Sequence, residues 1–142
     1  MADIKNMSLN GFFKSNAKSL PDVKVVVSER FTDQDGNPIE WVLHPISTRR
    51  VEEITKRNTK TVIKNGKKES TVNEENLNAE LLEAVVLYPS LNDAELQDSY
   101  GVSSANELLG AMLYPGETQV LTAALQEVMA GSKANDIDEL KN

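Results

Sequence analysis

The sequence predicts an α+β fold, with a small N-terminal antiparallel β-hairpin region and one helix, followed by a C-terminal bundle of about four helices. Two observations carry this prediction. β-branched and turn-forming stretches are concentrated before residue 73, whereas apolar residues at helical spacing follow it. A chain of 142 residues suits one domain with its own core. We expect a flexible arm over residues 1–20, one domain over residues 21–131 and a polar tail over residues 132–142.

Charge changes at nearly the same place in the chain. The formal net charge is −7, but residues 1–68 hold thirteen Lys or Arg against eight Asp or Glu. Residues 69–132 hold eleven acids and no Lys or Arg. The domain should therefore have a strand-rich basic half over residues 21–72 and an acidic helical half over residues 73–131. Either this split serves solubility alone, or the two halves meet opposite charges in each other or in partners.

The first predicted element is a β-hairpin. The stretch "VKVVVS", which begins at Val23, is β-branched and compact, as is typical of a strand. "DQDGN", which begins at Asp33, has the composition of a turn. "PIEWVLHPI" follows, with Ile39, Trp41 and Leu43 on one side of an alternating pattern, so it predicts the second strand. Trp41 should belong to the core.

A surface helix and a second hairpin are predicted next. "STRRVEEITKRN" can be capped by Ser47 or Thr48 and carries only a narrow apolar stripe that includes Ile54. "TKTVIKNGKKESTVN" then has two short β-prone pieces around an Asn-Gly pair at residues 65–66. Asn-Gly between such pieces is the strongest short hairpin signal in the chain.

The acidic half predicts four helices. "NEENLNAELLEAVVLY" has acids in its first turn and should end at Pro89. "NDAELQDSY" is a short helix that Asn92 or Asp93 can cap. "SANELLGAMLY" begins with Ser104 three residues before Glu107, which is the spacing of a capping box.

The last predicted helix, "ETQVLTAALQEVMA", has the clearest period, with apolar pairs every four residues. Gly131 is a suitable C-terminal cap. "Leu-Tyr-Pro" occurs at the end of two of the four helical stretches, and we interpret both copies as helix ends rather than as a repeat. The residues expected to be buried together are Leu109, Leu113, Leu121, Leu125 and Val128.

The residue pattern predicts no catalytic, cofactor or metal site. His44 is the only His, and the chain has no Cys and no Gly-x-Ser-x-Gly turn. Phosphate-loop and dinucleotide motifs are also missing, and "DQDGNPIE" lacks the spacing of a calcium loop. No stretch is apolar over about 18 residues, and Asp3 lies in a polar N-terminus, so we expect no membrane span and no signal peptide.

Nucleic acid is not an expected partner, although residues 94–113 are spaced like a helix-turn-helix unit. Phosphate binding depends on Lys and Arg, and this unit lies within the segment that has neither. Residues 49–68 are basic but contain no aromatic residue to stack on a base. A DNA-binding regulator therefore stays only as an alternative.

Four stretches carry a resemblance to a known family: "PIEWVLHPISTRRVEEITKRNTK", "LLEAVVLYPSLNDAELQDSYGV", "ANELLGAMLYPGETQVLTAALQEV" and "DELKN". In order and spacing they resemble the small tail assembly chaperones of tailed phages and prophages of Gram-positive bacteria, in the lineage with contractile tails. The resemblance spans roughly residues 38–142. Asn58 is a departure, because the family often has Cys there.

The resemblance implies a non-catalytic protein without cofactors that binds the tape-measure protein. The partner would be kept soluble until tail-tube subunits polymerise around it. The family also implies a location in the cytoplasm of the host bacterium and absence from the finished virion. The tail-tube protein and a second copy of this chain are further candidate partners, and a small structural tail protein is a further alternative function.

Such a chaperone should offer an apolar docking surface, because an aggregation-prone helical partner offers apolar contacts. The helices predicted over residues 77–88 and 104–114 carry more apolar residues than one face needs. Leu87 and Met112 should then be partly exposed and form a groove with an acidic rim; alternatively, all these residues are buried between the helices. The predicted surface consists of Leu82, Val86, Leu87 and Met112.

Overall fold

The structure, a computed structural model, describes residues 4–131. Within this range the chain forms five α-helices and two antiparallel sheets, so the predicted α+β class is confirmed. The predicted tail over residues 132–142, with its "DELKN" ending, lies outside the described residues. The elements are β1 Val23–Val25, β2 Trp41–Leu43, α1 Thr48–Arg57, β3 Thr59–Lys64, β4 Lys67–Val72, α2 Glu74–Val85, β5 Val86–Tyr88, α3 Ala94–Ser99, α4 Ala105–Met112 and α5 Pro115–Ala130.

The first hairpin forms as an antiparallel pair of β1 and β2, in which Val25 lies opposite Trp41. Its connection, residues 26–40, is much longer than the turn stretch "DQDGN" that the sequence indicates between the two strands. The stretch "DQDGN" does form a turn at the tip of this connection, where the backbone N–H of Asp33 donates to the carbonyl of Asn37 at 2.9 Å. Gly36 there has φ 83°, a conformation that glycine adopts without steric cost.

A third strand, β5, was assigned to a helix by the sequence pattern, and that assignment is wrong. Helix α2 ends at Val85, and β5 pairs antiparallel with β2 so that Val86 lies opposite Leu43. Two β-branched residues and the approach to Pro89 disfavour the helical conformation here, and pairing with β2 supplies the hydrogen bonds instead. The sheet order β1-β2-β5 therefore joins the basic half to the acidic half.

Local capping chemistry determines where the helices begin. The side chains of Ser47, Asp93 and Ser104 accept hydrogen bonds from backbone N–H groups in the first turns of α1, α3 and α4. Pro115 is the first residue of α5, where its missing N–H costs no hydrogen bond, so this proline starts a helix after α4 has ended. Gly131 ends α5 with φ 76°.

The second hairpin is confirmed at its predicted turn. Strands β3 and β4 pair along their whole length, and Asn65 and Gly66 take the positive φ values of 52° and 77°. Every residue of β4 is exposed, and β3 buries no residue fully. This hairpin therefore lies outside the main core.

The core draws on both halves of the chain. The predicted cluster of Leu109, Leu113, Leu121, Leu125 and Val128 is buried as expected, and Trp41 is buried with it. The core residues are Val27, Trp41, Leu43, Leu82, Val85, Val86, Leu91, Ala105, Leu108, Leu109, Met112, Leu113, Leu121, Ala124, Leu125 and Val128.

One buried polar residue, Asn58, connects α1 to α2. Its side-chain amide donates to the carbonyl of Ile54 and to Glu80, and its side-chain oxygen accepts from Asn76. The backbone N–H of Asn73 also donates to the Asn58 carbonyl at 2.8 Å. Because these groups satisfy each other, Asn58 can be buried without an unpaired polar atom.

An ion pair fixes the long β1–β2 connection to the start of α5. The guanidinium of Arg30 donates to both carboxylate oxygens of Glu117, at 2.8 and 2.6 Å, and to the Met112 carbonyl at 2.9 Å. It also lies 4.9 Å from the ring centroid of Phe31 and 4.8 Å from that of Tyr114. A two-point contact between charged groups fixes the relative orientation of the two side chains as well as attracting them, so it holds the connection in one position on α5.

Acid should weaken this link. Hydrogen bonds from Arg30, Ser28 and the Tyr114 backbone lower the pKa of Glu117 from 4.5 to about 2. Because the folded-state pKa lies below the unfolded-state value, the ionised carboxylate stabilises the fold fully above pH 4.5 and progressively less down to about 2. Glu117→Gln should reduce the loss of stability over this pH range, measured by urea unfolding at each pH. Glu52→Gln, at an exposed position of α1, is the control and should leave the acid profile unchanged.

Candidate functional site

The four residues predicted to bind a partner do not form one surface. Leu87 is 55% exposed, as expected. Met112, expected to be partly exposed, is only 6% exposed, and Leu82 and Val86 are also buried. Met112 is buried because it ends α4 against the core, where its backbone carbonyl also accepts a hydrogen bond from Arg30. Met112 and Leu82 nevertheless border two separate hollows.

The first hollow, which we call the helical groove, lies between α2, α4 and α5 and has a volume of about 270 Å³. Leu82 from α2 and Leu121 from α5 contribute to its apolar part. Gly110 of α4 leaves it open, since a Cβ at this position would meet no atom within 4 Å. Its lining residues are Glu75, Asn78, Ala79, Leu82, Asn106, Leu109, Gly110, Leu113, Thr118, Leu121 and Thr122.

The helices around the groove carry negative charge only. Helices α2, α4 and α5 contain no Lys or Arg, and Glu75 lines the groove directly. Two of their acids have cationic neighbours, since Arg30 pairs with Glu117 and Arg57 lies 3.7 Å from Glu80. An apolar floor with acidic walls fits an amphipathic segment that carries Lys or Arg on its flanks.

The second hollow, which we call the aromatic hollow, has a volume of about 180 Å³. Met112 lies in its wall, and the rings of Phe31 and Trp41 meet there with centroids 6.5 Å apart. Tyr88 and Tyr100 line it and are themselves exposed. Its lining residues are Phe31, Ile39, Trp41, Tyr88, Pro89, Leu96, Tyr100 and Met112.

Leu87 and Val86 line neither hollow. They belong to β5, which is an edge strand of the three-stranded sheet. Val86 faces the core, whereas Leu87 points its side chain into solvent, as successive residues of a strand do. Leu87 is thus the one predicted residue that is exposed as expected, and it stands apart from both concave surfaces.

An apolar surface that the sequence pattern did not reveal lies on the N-terminal arm. Every residue from 4 to 20 is exposed, and Phe12 is 82% exposed. The pair "FF" at residues 12–13 in an otherwise polar stretch is the signal that could have indicated it. The exposed large apolar residues of the arm are Ile4, Met7, Leu9, Phe12, Phe13 and Leu20.

The single His of the chain lies in a surface contact with an acidic residue. His44 Nδ1 lies 2.7 Å from a carboxylate oxygen of Asp22, and both side chains are more than one third exposed. Over the same residues, no group of three or more His, Cys, Asp or Glu is placed to hold a metal ion. Nor does any described helix have the length and apolar character needed to cross a membrane.

Helices α3 and α4 do form a helix-turn-helix corner, with Gly101 at φ 69° in the turn. Val102 is half-buried there. The exposed acids Glu95, Asp98 and Glu107 lie on these two helices. Since these carboxylates would repel phosphate, the corner is unsuited to nucleic acid.

The chain matches a protein-family model and is similar to two proteins of Bacillus subtilis. The model of a family described as "Phage XkdN-like tail assembly chaperone protein" matches residues 9–141. The chain is similar to the phage-like element PBSX protein XkdN of Bacillus subtilis, with 29% identity over 111 residues that cover 76% of this chain and 74% of XkdN. It is also similar to the Bacillus subtilis protein YqbN, with 28% identity over 115 residues, covering 79% of this chain and 76% of YqbN.

The fold is shared with a solved structure. The crystal structure of YqbN superposes with a TM-score of 0.72 at 22% identity, covering 86% of this chain and 96% of that one. At this identity the superposition supports the fold alone.

Proposed function

The chain belongs to the phage XkdN-like tail assembly chaperone family, and from this premise we propose that it binds the tape-measure protein and keeps it soluble during tail assembly. Assembly chaperones act by covering apolar surface of another tail protein until that surface is buried in the finished structure. This role needs a docking surface and no catalytic group. It also implies a location in the host cytoplasm and absence from the completed particle.

The helical groove is the proposed docking surface, and its apolar floor among three helices without a cation carries the proposal. A helix laid into a groove is a recurring way to bind an amphipathic partner. Walls with only acidic charges would favour partner segments that carry Lys or Arg, and would speed their encounter. Leu82, one of the residues predicted to bind a partner, lines this groove and is a proposed contact there, and Leu87 remains a proposed contact outside the groove.

Blocking the groove at Gly110 tests this proposal without touching the core. Gly110 lies on an exposed part of α4, and a Cβ at this position would have free space around it, so Gly110→Trp should fold and fill the groove. We expect the variant to lose most of the soluble tape-measure protein recovered on co-expression. Gly110→Ala is the matched control: it should keep the soluble partner and stabilise α4 by about 0.5–1 kcal/mol.

Two results would contradict different parts of the proposal. If folded Gly110→Trp solubilised the partner as well as wild type, the groove would not be the docking surface. If the wild-type protein neither bound the tape-measure protein nor increased its soluble yield, the chaperone role itself would be wrong.

The α3–α4 corner gives the alternative of a DNA-binding regulator its only structural support. We expect no retardation of duplex DNA in a gel even at low salt, because the corner lacks Lys and Arg. Binding below micromolar concentration that weakens steeply with salt would contradict this. A structural tail protein would instead be detected by mass spectrometry of purified particles, where we expect this chain to be missing.

A further inference from the structure

We propose that the N-terminal arm of one copy docks in the aromatic hollow of a second copy, with Phe12 or Phe13 as the anchor. A single chain leaves every residue from 4 to 20 exposed, including both Phe side chains. Burying one such side chain is worth about 1.5–3 kcal/mol, so the arm gains most from a second surface. The aromatic hollow is a surface of matching size and chemistry.

The arm is already folded locally around its two Phe residues. The backbone N–H of Phe12 donates to the Leu9 carbonyl, and that of Ala17 donates to the Phe13 carbonyl, both at 2.9 Å. The side-chain amide of Asn16 donates to the Asn10 carbonyl at 2.8 Å. Because these bonds shape the segment before it binds, docking loses less conformational entropy than it would for an unstructured chain.

The hollow has room for one aromatic ring. Its volume of about 180 Å³ is close to the ~150 Å³ of an apolar protein cavity that binds benzene. The side chain of Phe presents the same ring. Phe31, Trp41, Tyr88 and Tyr100 would surround it, and aromatic rings pack favourably edge-to-face or offset.

Charge favours the same pairing. Residues 4–20 contain three Lys and no acid. Near the hollow, α3 contributes Leu96 to the lining and carries the exposed acids Glu95 and Asp98. The cation next to the hollow, Arg30, is paired with Glu117. The positive arm would therefore approach a surface on which α3 carries negative charge.

Within one chain the arm does not occupy the hollow. None of residues 4–20 lines it, and all of them are exposed, so a second copy can supply the occupant. If each copy inserts its arm into the other, both arms and both hollows are covered by one self-complementary contact. Such reciprocal contacts generate a closed twofold dimer.

Cysteine cross-linking tests who donates the arm, and the chain has no Cys of its own. Separately purified Ser15→Cys and Ser99→Cys variants keep the anchor and the hollow intact, and they should form a mixed disulfide when combined under oxidation. Ser15→Cys combined with Ile63→Cys, an exposed position on the β3–β4 hairpin, is the control and should cross-link far less. Equal cross-linking in the two mixtures would overturn the proposal. So would a disulfide that forms only within one Ser15→Cys/Ser99→Cys chain.

Self-association provides an independent measurement. Wild-type protein should be dimeric by light scattering, and its sole Trp, Trp41, should change fluorescence on dilution because it lines the hollow. Phe12→Ser/Phe13→Ser should weaken association at least about tenfold, which corresponds to ~1.4 kcal/mol. Ile63→Ser should not change it. A wild-type monomer, or association unaffected by the double substitution, would overturn the proposal, and neither measurement involves the tape-measure protein.

Discussion

Replacing Leu125 by Ala is expected to lower the free energy of unfolding by about 2–5 kcal/mol, the usual cost of removing a buried Leu side chain. Leu125 is 1% exposed at the centre of the buried face of α5, with Leu121 one turn before it and Val128 one turn after. The substitution leaves a cavity that the close-packed neighbours cannot readily fill. The melting temperature should fall by roughly 10 °C.

Chemical denaturation of matched variants measures this cost. Val120→Ala is the control, because Val120 lies on the same helix and is exposed, and Ala is a good helix former. We expect its denaturation midpoint to stay near that of wild type. An unchanged midpoint for Leu125→Ala would mean that α5 does not pack against the core as described.

Replacing Asn58 by Leu should have an effect of similar size for a different reason. The substitution removes the partner of the Ile54 carbonyl and of the Glu80 and Asn76 side chains in one step. A buried group left unpaired costs about 1–3 kcal/mol, and the Glu80 and Asn76 side chains are only partly buried, so we expect a loss of about 2–3 kcal/mol. An added apolar side chain cannot offset this cost, because the site around it stays polar.

The same change at an exposed site separates hydrogen bonding from side-chain size. Asn78 lies on α2, is exposed, and should tolerate replacement by Leu with little effect on stability. Urea unfolding monitored by circular dichroism gives both values. A variant with Asn58→Leu as stable as one with Asn78→Leu would show that the α1–α2 network contributes little.

Helix starts, the tight hairpin turn and the buried face of α5 depend on residues close together in sequence, so the sequence predicted them correctly. Ser47, Asp93 and Ser104 cap helices because their short side chains reach the free N–H groups of the next turn. The Asn-Gly pair at residues 65–66 forms its hairpin because both residues tolerate positive φ. The four-residue period of α5 identified its buried face because residues so spaced lie on one side of a helix.

Strand β5 could not be predicted this way, because its conformation depends on a distant partner. The residues before Pro89 continue the apolar pattern of α2. Two β-branched residues and the proline weaken the helix locally, but only pairing with β2 makes this segment a strand. Tertiary hydrogen bonding of this kind overrides local preference. Because β5 pairs with a strand far away in sequence, a local pattern does not identify the partner that completes it.

The candidate site was predicted only in part for the same reason. Apolar excess on two helices pointed to Leu82, which does line the helical groove, and to Leu87, which is exposed. Met112 was expected to be partly exposed, but it packs in the core and lines the aromatic hollow together with Phe31, a residue remote in sequence. The arm itself was predicted over residues 1–20, but its apolar surface was missed because Phe12 and Phe13 follow no helical or strand period.

The β3–β4 hairpin has a consequence for motion and for engineering. Its ladder is complete but almost nothing covers it, and two-stranded hairpins are only marginally stable without such cover. Its amide hydrogens should therefore exchange with solvent through local opening, much faster than those of α5 and without unfolding of the rest of the domain. A reporter peptide inserted between Asn65 and Gly66 would lie on this independently opening hairpin. The insertion should therefore leave the stability of the folded core unchanged.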